Sequence, residues 1–123
     1  MNPIVVSSEL RVFLDMLNQV FEIEKKLEQI TESNSIHRNL RRLKTTFESS
    51  LPIFNSPGAG FVIQNPMGEA YDETRADCEA SIAGDATEDL VIIDVIKPII
   101  HFQKEGHSQI VQKGVVVVKS KSE

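Results

Sequence analysis

The feature that most constrains this chain is a change of period at one proline- and glycine-rich break. Up to residue 54 apolar residues recur at three- and four-residue steps; after Asn55-Ser56-Pro57-Gly58-Ala59-Gly60 they come as short β-branched runs. Steps of three and four place side chains on one stripe of an α-helix, whereas short runs and alternation fit strands. The break itself has the composition of a loop. The expected architecture is α+β, with helices and a dimerisation region over residues 1–54, a linker over 55–60 and a β domain over 61–123.

Ser7 and Ser8 precede Glu9 and can accept from the free amides at a helix start, with Glu9 at the favourable end of the dipole. Leu10, Phe13, Leu14, Leu17, Val20, Phe21, Leu27 and Ile30 form the first row, and Met16 and Ile23 widen it. A wide stripe implies burial against more than one neighbour. Ser33-Asn34-Ser35 interrupts the row, and Ile36, Leu40, Leu43, Phe47 and Leu51 start a second one, which Pro52 ends. Two helices joined by a short polar link predict a helical hairpin. Leaving such a row in water forgoes about 1.5–3 kcal/mol per Leu or Phe. Self-association is therefore expected through Leu10, Phe13, Leu17, Val20, Leu40, Leu43 and Phe47, giving a four-helix bundle in a homodimer.

Beyond the break, Phe61-Val62-Ile63 reads as a strand and Asn65-Pro66 and Met67-Gly68 as turns. Cys78 to Ile82 alternates, as a strand with one wet face does. Leu90 to Ile96 carries Asp94 as its only charge, and Pro98 ends, bends or exposes it as an edge. Ile99 to Phe102 and Gln109 to Gln112 flank a hairpin centred on Lys104-Glu105-Gly106. Gly114 reads as a bulge. Val115 to Val118 reads as a buried strand, its end shielded from edge pairing by Lys119 and Lys121.

A net charge of −5 disfavours a nucleic-acid partner. The basic strip Arg38, Arg41, Arg42 and Lys44 reads as a solvated helix face. A single cysteine rules out an intramolecular disulfide and fits a reducing compartment. No apolar stretch reaches membrane-spanning length and the first residues lack the basic region of a signal peptide, so no membrane partner and a cytoplasmic location are expected.

Asp72, Glu73, Asp77 and Glu79 are acidic but lack the spacing and glycine of an EF-hand, and read as a solvated loop. Arg75 can pair with Asp72 or Asp77 and fix that loop; ligand binding is its other use. Cys78 falls on the apolar side of its strand, as a buried thiol does. His101 and His107 alone make no zinc site, and Gly58 and Gly60 precede no phosphate-loop lysine. No catalytic residue, metal or cofactor is expected.

One stretch carries more. Pro66-Met67-Gly68-Glu69-Ala70-Tyr71-Asp72 resembles the P-x-G-E-x-F-D-like turn of GrpE-type nucleotide exchange factors. Val62-Ile63 before it, Glu79-Ala80 after it, the Val95-to-Ile99 region and Val115 to Val118 fall where that family places its strands. Phe13 to Leu17 resembles the end of the family's long helix, and the helix ending near Phe47 its short bundle helix. The chain departs from the pattern at Glu73, where proline is usual, at Cys78, where histidine is usual, and in a longer spacing from Asp72 to Glu79. It is also expected to lack the long stalk helix.

The resemblance implies a mechanical, non-enzymatic function. The family's β domain wedges against the nucleotide-binding domain of a DnaK-type chaperone ATPase and favours an open cleft that holds ADP poorly. The implied partner contacts are Ile96 and Lys97, the stretch from His107 to Gln109, and Val118. From the residues alone, Ile96 and Val118 equally suit core packing, and His107 a solvated hairpin tip. Two other readings stand beside this one. The first is a non-enzymatic adaptor or structural module of similar shape with a different partner; the second is a small enzyme using the acidic loop with Cys78 or a histidine.

Overall fold

The computed structural model describes residues 3–30, 35–49, 51–54 and 58–122. Ser33 and Asn34 of the expected helix break and residues 55–57 of the expected linker lie outside the described residues. The fold is α+β. Helix α1 spans Ser8–Leu27 and α2 spans Ile36–Ser49, and a short 3-10 turn follows at Pro52–Phe54. Seven strands come next: β1 Gly60–Gln64, β2 Ala70–Tyr71, β3 Cys78–Ile82, β4 Leu90–Lys97, β5 Ile99–Lys104, β6 His107–Gln112 and β7 Gly114–Ser120. Ser7 caps α1, its hydroxyl accepting from the Leu10 amide at 3.2 Å.

The strands form two sheets, β1-β5-β6 and β2-β4-β7-β3. All pairings are antiparallel except β3 with β7. Pro98, fully buried, separates β4 of one sheet from β5 of the other. Without an N–H it interrupts the ladder, so the chain turns a corner there and changes sheets. Glu105 and Gly106, at φ 51° and 81°, make the two-residue turn between β5 and β6, as a primed hairpin turn requires.

Two sequence expectations are corrected in this half. Strand β7 is interior, flanked by β4 and β3, so Lys119 and Lys121 guard no edge. Gly114 is not a bulge but a close approach: a Cβ there would lie 3.0 Å from Ile99 Cγ1 and 3.1 Å from Cys78 Sγ. The register shifts fall elsewhere, between Ile92 and Asp94, Val95 and Lys97, and Ile100 and His101.

The helices and the sheets share their interior. Leu14 and Leu17 of α1 and Phe47 of α2 cluster with Ala59, Phe61, Ile100 and Phe102. Phe61 sits at the centre of a ring cluster, with ring centroids 6.4 Å from Phe13, 5.4 Å from Phe54 and 5.9 Å from Phe102. A second cluster joins Phe21 of α1 to Cys78, Leu90, Ile92, Val95, Ile99, Val116 and Val118. Val20, Leu27 and Leu40 close the contact between the helices. Gly60 is required where β1 meets α2, because a Cβ there would overlap the Phe47 carbonyl oxygen and the Glu48 backbone.

The row expected at a dimer seam is thus largely covered within one chain. Leu17, Val20, Leu40 and Phe47 are buried, and Leu10 and Phe13 pack partly buried against the phenylalanine cluster. Of the seven, Leu43 alone stays widely open, at 46% exposure. Val20 and Leu40 cover each other between the helices, and the cover for Leu10, Phe13, Leu17 and Phe47 comes from the chain's own sheet, which the helical pattern could not reveal.

Candidate functional site

Alternation along β7 buries Gly114, Val116, Val118 and Ser120 and turns Val115, Val117 and Lys119 to the other face of the four-stranded sheet. The register on β4 sets Ile92 opposite Val118, Asp94 opposite Val117, Val95 opposite Val116 and Lys97 opposite Val115. Ile93 and Ile96 have no partner in that register. Each is the extra residue of a bulge, a device that re-aims side chains and raises local twist. Both are exposed, at 41% and 47%. The outer face therefore carries Val115 and Val117 with Ile93 and Ile96 beside them, and Asp94, Lys97, Glu79 and Ser81 in neighbouring register positions.

β4 is braced at two points. Lys25 of α1 reaches the second bulge, its ammonium donating to the Val95 carbonyl at 2.8 Å and pairing with Asp94 at 2.9 Å. The Pro66–Asp72 turn is pinned to the same strand just before the first bulge. The Gly68 amide donates to the Ile92 carbonyl at 3.0 Å and the Ile92 amide to the Glu69 carbonyl at 2.9 Å. Gly68 takes φ 82°, a conformation that glycine adopts without a steric penalty. Pro66 is fully buried under the turn.

Arg75 holds the loop after that turn. Its Nε donates to Asp77 at 2.7 Å, one Nη to Glu69 at 2.7 Å and the other to the Ala70 carbonyl at 3.0 Å. The pairing partner is Asp77, not Asp72. The guanidinium holds the Asp77 carboxyl below the usual aspartate range, and the Asp77 and Glu69 carboxylates push the Arg75 pKa up. Asp72 accepts from both the hydroxyl and the amide of Thr74, which lowers its pKa. Burial, helped by the charge of Asp77, pushes the Cys78 thiol up, so it stays protonated at neutral pH.

The positions expected to touch a partner are not one patch. Ile96 and Lys97 are exposed at the end of β4. His107 is exposed at the hairpin tip, the far end of β6 from the Pro98 corner, about 17 Å away at strand rise. Gln109 is half-buried, and its side-chain amide is engaged with the backbone of Ile4. Val118 is fully buried, opposite Ile92. It is corrected from a contact to a packing residue; its neighbour Val117 faces out. The sequence offered no signal for this phase, since four consecutive valines fit either face.

A cleft of about 580 Å³ lies at the open end of the same sheet, lined by Tyr71, Asp72, Glu73, Ile82, Glu88 and Asp89 among others. Neither Asp77 nor Cys78 reaches it. His101 is taken up by Gln64 at 2.6 Å and Ser108 at 3.2 Å. Among the described residues no group of three His, Cys, Asp or Glu side chains could hold a metal ion, and no helix is long and apolar enough to cross a membrane. Comparison with protein-family models, with curated proteins and with solved structures gave no match to this chain.

Proposed function

We propose that this chain is a GrpE-like co-chaperone whose four-stranded sheet docks on the nucleotide-binding domain of a DnaK-type chaperone and promotes ADP release. The observation that carries this reading is the outer sheet face. Two bulges add Ile93 and Ile96 to the open side of a strand whose inner side is core. That strand is pinned by the same Pro66–Asp72 turn that carries the family resemblance. Exposed isoleucines on a braced strand suit a protein partner better than a small molecule. A binder that prefers the open form of an ATPase lowers its affinity for nucleotide by linkage, with no covalent step and no cofactor.

The reading includes a helical hairpin that pairs with a second copy as a four-helix bundle in a cytoplasmic homodimer. The support is the apolar side chains that the helices leave open: Val12, Met16 and Ile23 on α1, Ile36 and Leu43 on α2. The seam then runs through these rather than through the row already buried in the chain.

One observation favours the adaptor reading. His107 and Gln109 lie away from the exposed isoleucines, so the contact set that the resemblance implies is not assembled on one surface. The two readings part in one experiment. A labelled ADP analogue is loaded on a DnaK-type chaperone, and its release is timed with and without this protein. Accelerated release supports the co-chaperone. Unchanged release, with another protein bound through Ile93 and Ile96, supports the adaptor.

A further inference from the structure

The segment before α1 is held unusually. Ile4 lies along β6, and the Gln109 side chain treats its backbone as a neighbouring strand would: Oε1 accepts from the Ile4 amide at 2.8 Å and Nε2 donates to the Ile4 carbonyl at 3.0 Å. Ile4 and Val6 are partly buried against the phenylalanine cluster, while Val5 between them is 84% exposed. This is the in-out-in pattern of an extended peptide laid on a sheet margin. Gln112, further along β6, exchanges two hydrogen bonds with Asn18 of α1 at 3.0 and 2.9 Å and donates to the Pro98 carbonyl at 2.9 Å. It fixes the wall of the groove independently of the segment lying in it.

We infer that this groove is a receptor for an extended peptide with apolar side chains two residues apart, occupied here in cis by residues 3–6 and open in trans to such a segment of a partner protein. A glutamine amide that reads one N–H and one C=O is indifferent to side-chain identity, so specificity lies in the two inward positions. Among the described residues the segment is held by the two Gln109 bonds to Ile4 and by two partly buried side chains, a light hold, and segments held this way open locally at low cost. The inference is independent of the sheet-face reading, because it uses β6 and the helix side rather than Ile93 and Ile96.

The test uses the full chain with Ile4→Ser and Val6→Ser, which unseats the strap, and a fluorescent peptide of the sequence Pro3-Ile4-Val5-Val6-Ser7. The unseated variant is expected to bind the peptide saturably, and the wild type about tenfold more weakly because its own strap competes. Adding Gln109→Leu, which keeps the apolar floor, is expected to abolish binding, as is replacing the peptide's Ile and Val by Ser. Should the double variant fail to fold by circular dichroism, excess peptide on the wild type decides: it should perturb the Gln109 side-chain amide and free the Ile4 amide in NMR spectra. No saturable binding, equal binding to wild type, or indifference to Gln109→Leu overturns the inference. A wild-type oligomer that the peptide dissociates also overturns it, since the groove would then serve a second copy.

Discussion

The two sheets meet at Pro98 and differ in what they leave open. The three-stranded sheet is enclosed on its inner face by both helices, the phenylalanine cluster and the strap. Its glutamines tie down what covers it, with Gln103 donating to the Glu48 carbonyl of α2 at 3.3 Å and Gln112 paired to Asn18 of α1. The four-stranded sheet buries one face on Phe21, Ile63 and Ile99, and its other face bears two bulged isoleucines. One sheet is built to hold the chain together, and the other has an apolar face that its own chain does not use. Substitutions in the first should cost stability; substitutions on the open face of the second should cost binding.

The largest effect is expected at Phe102, fully buried among the rings. Phe102→Ala should lower unfolding free energy by about 3–5 kcal/mol in urea denaturation. A loss under about 1 kcal/mol would mean the helices do not depend on this sheet. Gly60→Ala comes next: its Cβ meets backbone rather than a movable side chain, so about 1–3 kcal/mol or more should be lost as α2 is pushed from β1. A sharper comparison lies within β7. Val118→Ala should cost about 2 kcal/mol, whereas Val117→Ala one residue away should cost under about 1 kcal/mol and fall mainly on partner binding. Equal losses would contradict the two-faced account of this sheet.

These same residues mark where the sequence was legible. The helices were readable because their polar faces set the phase, Pro98 and Glu105-Gly106 followed from backbone chemistry, and alternation put Cys78 on the apolar side of its strand, where the structure buries it. The outer face was not. Val115 to Val118 contains no polar residue to fix its phase, and the bulges at Ile93 and Ile96 break alternation, so β4 reads in sequence only as a β-rich run with one charge. Sheet order depends on partners distant in sequence, which is why Lys119 and Lys121 read as guards against edge pairing although β7 lies inside its sheet. The glutamine ties were missed because glutamine in a strand usually signals only a wet face; Gln109 and Gln112 instead replace backbone pairs that the strap and α1 cannot make with β6.

The smallest expected effect belongs to the Arg75 loop beside the open face. The Asp77 carboxyl is held below its unfolded value of about 3.9 by Arg75. Its contribution is therefore full above pH ~4 and is lost as pH falls through the lower folded value, because the unfolded state then binds more protons. Arg75→Met should flatten the part of the stability–pH curve below the unfolded aspartate value in urea titrations. An unchanged curve would show that the ion pair does not hold in solution.

The central claim is that the open face of the four-stranded sheet acts on a chaperone ATPase through contact alone. It is tested most directly by timing release of a labelled ADP analogue from a DnaK-type chaperone, with wild-type protein and with the Ile93→Asp, Ile96→Asp variant. The account predicts faster release with the wild type and the unassisted rate with the variant, both proteins having the same unfolding midpoint within error. A folded variant that still accelerates release, or a wild type that never does, would contradict it.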